Sequence, residues 1–240
     1  MSNYYSYENE SDISYGGVVR AARGRFLTQT YVHLFAAMLL FVLIEVAIFS
    51  TGTADSICRS MLGRGGIGWL VVIGGYMLLG TVATHVAQTA TSKAAQYAAL
   101  IFFVALEALI FVPMLWMANK LVPGGGMIQS AAVITLGGFA LLTAIVFMTR
   151  ADFSFLRGIL FWASICALLL VVGGLIFGFN LGMAFSVAMV ALAGGWILYD
   201  TSNILHHYSE DRYVGASLAL FSSVALMFWY VLRIFMQSRD

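Results

Sequence analysis

Residues 155–177 read FLRGILFWASICALLLVVGGLIF, and this stretch decides the fold. After Arg157 come twenty residues without a single Asp, Glu, Lys, Arg or His. Coiled at 1.5 Å per residue, such a run covers about 30 Å, the thickness of the hydrocarbon core of a bilayer. Lipid offers the backbone no hydrogen-bond partner, so the segment crosses the membrane as a helix.

Working outward, similar blocks occupy residues 26–49, 66–86, 95–117 and 127–148 upstream, and 181–205 and 214–236 downstream. Turn-forming and charged residues separate them: Thr51-Gly52-Thr53 with Asp55, Pro123-Gly124-Gly125-Gly126, Arg150-Ala151-Asp152, and Ser209-Glu210-Asp211-Arg212. The break at 177–180 is short, so spans five and six form a tight hairpin or one broken pair. Composition agrees, because 61% of the 240 residues are hydrophobic and 10% charged. A soluble domain carries about 25% charged residues, and this chain lacks the polar groups to cover a water-facing surface. The expected architecture is an all-α membrane protein, a seven-transmembrane-helix bundle. Residues 1–25 read as a polar flexible N-terminal tail and 26–240 as a single seven-helix transmembrane domain. The first apolar block is too long for a cleaved signal peptide and reads as an anchor.

The formal net charge of +1 excludes the basic stripe that nucleic acid requires. Cys58, read as lying in a loop, and Cys166, inside a span, have neither disulfide nor zinc spacing. His206-His207 with Glu210 and Asp211 reads as a solvated loop, since adjacent helical residues do not face one site. No metal or cofactor is expected. Gly124-Gly125-Gly126 is a turn without the Lys-Ser/Thr of a phosphate loop. No nucleophile–base pair is visible, so no enzyme is expected. Arg20, Arg23, Arg25, Lys93, Arg150, Arg157 and Arg212 lie on the side of the N-terminus; Arg59, Arg64, Lys120 and Arg239 lie opposite. This bias puts the N-terminus in the cytoplasm and the C-terminus outside. Gly174, Gly178 and Gly182, spaced by four, and Gly194-Gly195 suit close helix packing.

Each ionisable group inside a span needs a physical reason to be there. His33 and His85 lie near helix ends, and Glu45 is close enough to its end to reach water. Glu107 sits mid-span, six residues before Pro113, which removes a helix hydrogen bond and kinks span three. Asp200 lies in Tyr199-Asp200-Thr201-Ser202-Asn203, with Asn203 one turn along the same face. The last span adds Ser222, Ser223 and Arg233. This cluster predicts either a hydrated cavity or polar bonding between helices. Asp200, Glu107, Ser223 and Asn203 are the candidate ion- or proton-sensing residues.

The run 198–204, Leu-Tyr-Asp-Thr-Ser-Asn-Ile, resembles the sixth-helix signature of the Bax inhibitor-1 (transmembrane BAX-inhibitor-motif) family, especially its bacterial branch. Met148-Thr149-Arg150 with Asp152, Ser154-Phe155-Leu156 and Gly158 is similar to the family's join between spans four and five. Pro113 falls where members carry Gly-Pro, here after Val112, and Ser238-Arg239-Asp240 is like the end of some bacterial members. The resemblance implies six helices around a central C-terminal helix. It also implies a pH-sensitive calcium leak in some members, stress or cell-death suppression in eukaryotic ones, and modulation of a membrane-anchored AAA protease in a bacterial branch. Leak members pair two Asp residues on the last two helices as the sensor. Asp200 matches the first, whereas the second position matches Ser223, so the like-charge coupling of a two-acid sensor is absent here. The expectation is an inner-membrane protein, a monomer or weak oligomer, either leaking calcium between the last two helices or regulating a protease complex.

Overall fold

Hydrophobic periodicity and turn residues place the helices where a computed structural model has them. It describes residues 3–63 and 65–239, with side chains described over 21–63 and 68–239. The helices are α1 (Asn3–Ser50), α2 (Ala54–Leu62), α3 (Gly65–Thr89), α4 (Lys93–Leu121), α5 (Gly126–Thr149), α6 (Leu156–Phe177), α7 (Met183–His206) and α8 (Tyr213–Gln237). All but α2 contain a segment long and apolar enough to span a bilayer, matching the seven expected blocks. Within α1 that segment is Ala21–Ser50. The helical backbone already runs from Asn3, within the stretch read from sequence as a tail; extending a nucleated helix adds one hydrogen bond per residue fixed. Met1, Ser2, Arg64 and Asp240, and the side chain of Arg20, lie outside the described residues.

The last helix is the axis of the bundle. Val214–Leu218 is buried without interruption, and buried residues recur around the whole helix as far as Leu232. With buried residues recurring on every side, α8 turns little of its surface to lipid. α8 packs on α1, α3, α4, α5 and α7, while α6 stands at the outside of the wall, on α7 and α3. Accordingly α6 buries only Leu160 and Ala167 and turns Ile159, Phe161, Trp162 and Leu169 outward to lipid. Around Phe111 the core is aromatic: its ring stacks on Phe228 at 5.6 Å and meets Trp229 edge-on at 4.9 Å.

Glycine sets the closest approaches, though not where the four-residue spacing suggested. α6 ends at Phe177 and α7 begins at Met183, so Gly174, Gly178 and Gly182 straddle a turn instead of forming a stripe. Gly178 supplies the left-handed cap, with φ of 75°. The tight contacts between helices are at Gly194, between Leu142 and Met227, at Gly195, where an added Cβ would lie 2.6 Å from the Leu160 side chain, and at Gly215, where it would lie 2.8 Å from the Ala87 carbonyl oxygen.

Cys58 lies on α2, a short amphipathic helix between the first two spans, and not in a loop. It buries Ala54, Cys58 and Met61, and Asp55 Oδ1 accepts a 2.7 Å bond from Trp116 Nε1 of α4. Burial, with the Asp55 carboxylate nearby, pushes the Cys58 thiol upward in pKa and keeps it protonated.

Candidate functional site

Successive residues of a helix point about 100° apart, since 3.6 residues complete a turn. The polar run on α7 therefore sends its side chains to different neighbours. Asp200 turns to α8, where Ser223 Oγ donates a 2.5 Å bond to Asp200 Oδ2. Both residues are buried, with 8% and 6% of their surfaces exposed. Thr201 turns toward Tyr31 of α1, which also faces Thr143 of α5. None of those three buried hydroxyls makes a hydrogen bond. Ser202 turns to the α5–α6 loop, accepting from the Phe153 N–H at 2.8 Å. Among the described residues no hydrogen bond joins the Asn203 side chain to Asp200. Instead, the Asn203 backbone carbonyl caps α7 by accepting from His207 and Tyr208.

The rim of this region is held by long polar contacts. Arg23 of α1 donates to the carbonyls of Ile204 and Tyr208, at 2.5 and 2.6 Å, and so closes the C-terminal turn of α7. Asp152 accepts from the Ser154 backbone N–H at 2.9 Å and pairs with His207 Nε2 at 3.1 Å. The Ser154 backbone N–H, helped by its hydroxyl and by His207, holds the Asp152 carboxyl below the usual carboxylate range. Arg150 adopts φ of 50°, which starts the loop that reaches back across α7.

Glu107 is buried on α4, and its nearest polar neighbour is the Tyr76 phenol of α3. Pro113 lies within the continuous helix α4 and is itself buried. Tyr76 also lines a groove of about 430 Å³ with Thr81, Thr84, His85, Gln88 and Ser222. Sequence reading missed this groove. Its signal was present as Thr81, His85 and Gln88, one face of α3 at helical spacing. Ser222 faces the groove and its neighbour Ser223 faces Asp200, so α8 carries both polar sites on adjacent residues.

His33 is satisfied locally, with Nδ1 at 2.7 Å from the Gln29 carbonyl and Nε2 at 2.8 Å from the Tyr97 hydroxyl. Glu45 does not reach water: it is only 6% exposed, and neither carboxyl oxygen has a partner. Its side chain points into the bundle, against α4, α5 and α8, and not along the helix to the interface. Among the described residues no three His, Cys, Asp or Glu side chains converge as a metal site would need.

The family profile described as "Inhibitor of apoptosis-promoting Bax1" matches residues 23–240. The chain belongs to the Bax inhibitor-1 family. This member is 39% identical over 112 residues to Bax inhibitor 1 of Schizosaccharomyces pombe, covering 45% of this chain and 41% of that protein. It is 36% identical over 124 residues to a Pseudomonas aeruginosa protein, PA2604, covering 51% and 55%. Over 113 residues it is 34% identical to the modulator of FtsH protease YccA of Escherichia coli, covering 45% and 51%. The chain thus spans about half the length of the curated relatives it matches. Like its family, the chain is an integral membrane protein, with seven helices long and apolar enough to cross a bilayer among the described residues.

Proposed function

We propose that this Bax inhibitor-1 protein is a proton-responsive cation leak, with calcium as the transported ion and the Asp200–Ser223 contact as its latch. The observation that carries this reading is the 2.5 Å bond from Ser223 to Asp200, which ties the last two helices through one ionisable group. A carboxylate accepts that bond more strongly than a carboxylic acid does, so proton uptake weakens the tie between α7 and α8. The adjacent Ser222 opens on the polar groove of α3, and Glu107 behind Tyr76 is a second acid within reach of the same groove. With Ser223 in place of a second acid, the sensor is a single titration and not a coupled pair. Purified protein in liposomes tests this with an encapsulated calcium dye. Wild type should leak calcium at a rate that changes with pH, and Asp200→Asn should flatten that dependence. Flux equal to that of protein-free liposomes at every pH would end the proposal.

A second reading rests on the Escherichia coli relative, which is named a modulator of FtsH protease. On this reading the protein sits in a bacterial inner membrane with its N-terminus cytoplasmic, and residues 1–25 contact a membrane-anchored AAA protease without conduction. Co-purification with that protease, lost on deleting residues 1–25, distinguishes it from the leak.

A further inference from the structure

Glu45 opens onto a cavity of about 480 Å³ between α1, α4, α5 and α8, whose lining includes neither Asp200 nor Ser223. Most of the lining is aliphatic or aromatic, and its polar members are Glu45, Asn119 and Thr135. Glu45 is 6% exposed and Thr135 2%, and neither carboxyl oxygen of Glu45 nor the Thr135 hydroxyl has a hydrogen-bond partner. Among the described residues no Lys, Arg or His lines the cavity. Of the cations at this end of the bundle, Lys120 lies over the Trp116 ring and Arg233 donates to the Leu181 carbonyl, while Arg59 stands on α2 outside the cavity lining. A desolvated carboxyl without a donor is costly and calls for one from outside the chain.

The cavity also has an entrance from lipid. Val42 and Val46 of α1 and Leu136 of α5 line it while keeping about half of their own surface exposed, at 52%, 59% and 47%. Tyr31, packed on Phe139 and Phe147, joins α1 to α5 nearer the other end of the pair. Further along the pair, residues of both helices line the cavity. A space of about 480 Å³ is of the size that a dodecyl chain with its head group occupies. We infer that this cavity is a binding site for a lipophilic amine, entering sideways between α1 and α5, with its ammonium on Glu45 and its alkyl chain against Phe41, Leu115 and Phe228. Charge complementarity selects the amine: the pocket offers one acid, no base, and an apolar slot.

The test uses the full chain in phosphatidylcholine nanodiscs, a diazirine-bearing dodecylamine as probe, and peptide mapping of the labelled sites. Labelling should saturate on the cavity walls of α1, α5 and α8, and dodecylamine should displace it while dodecanol at equal concentration does not. Glu45→Gln should lower labelling at least tenfold. Ala132→Phe, which fills the slot and leaves the charge, should lower it comparably and serves if Glu45→Gln fails to fold. Non-saturable labelling, equal displacement by dodecanol, or unchanged labelling in a folded Glu45→Gln would each overturn the assignment.

Discussion

Replacing Ser223 by alanine removes one hydroxyl and leaves Asp200 buried without its donor. A hydrogen bond to a charged group contributes about 1.5–3 kcal/mol in proteins, and one between neutral groups about 0.5–1.5 kcal/mol. Inside membranes the measured contribution is smaller, about 0.6 kcal/mol on average and about 1.7 at most, because the unfolded chain also finds partners. The 2.5 Å separation and the burial of both side chains place this bond at the upper end of that range. We expect Ser223→Ala to cost about 1–1.7 kcal/mol, a factor of about 5–18 in the folding equilibrium. Ser222→Ala is the internal control. Its side chain lines the groove and makes no hydrogen bond among the described residues, so it should stay within about 0.5 kcal/mol. Steric-trapping measurements of unfolding in bicelles, run as a double-mutant cycle with Asp200→Asn, isolate the pair from its surroundings. A coupling below about 0.3 kcal/mol, or equal costs for Ser222→Ala and Ser223→Ala, would refute the idea that this contact ties α7 to α8.

Gly215→Ala should destabilise the protein by about 1–3 kcal/mol, because its Cβ would meet the fixed Ala87 carbonyl. Gly195→Ala should cost less, about 0.5–1.5 kcal/mol, since the atom it meets is the tip of Leu160, which can change rotamer; thermal unfolding of the two variants checks the order. Arg23→Lys should not rescue Arg23→Ala, because one ammonium cannot reproduce a guanidinium fork on two carbonyls; hydrogen exchange over residues 204–208 should accelerate in both. The Asp152 carboxyl is held low, so its contribution to docking the α5–α6 loop is present above the ordinary Asp range and is lost as pH falls through its depressed pKa. Proteolysis within residues 150–155 should therefore rise in strong acid, and in Asp152→Ala it should be high already at neutral pH.

Span number and the partners of the candidate acids were legible to very different degrees. Runs such as 155–177 settle a crossing by themselves, since nothing but a helix satisfies that backbone in lipid. The pairing of Asp200 with Ser223 was also within reach, through the family resemblance that sets the two positions opposite one another on the last two helices. What sequence contiguity hid was direction. Asp200, Thr201 and Ser202 look like one polar cluster, yet the turn of the helix sends them to α8, to Tyr31 and to the α5–α6 loop. Glu45 misled for a related reason. Distance from a helix end says how far the interface is, but not whether the side chain points along the axis or into the bundle. The groove on α3 was overlooked because its Thr, His and Gln residues are individually unremarkable, and only their common face makes them a site.

The two ends of α8 are both fastened. Near its start Arg212 donates to the Ala90 carbonyl at 2.9 Å and Lys93 to the Asp211 carbonyl, while Gly215 sits against Ala87. Near its far end Arg233 and Gln237 both donate to the Leu181 carbonyl, and Gln237 accepts from Ser186. A rod clamped in this way has little freedom to tilt or slide. Loss of the Asp200–Ser223 bond would then leave α7 and α8 side by side, and the response would be local: a serine rotating, a water entering. Such events take nanoseconds, against microseconds to milliseconds for collective helix motion. Structures of the protonated and deprotonated protein would accordingly superimpose along the helix axes and differ in a few side chains.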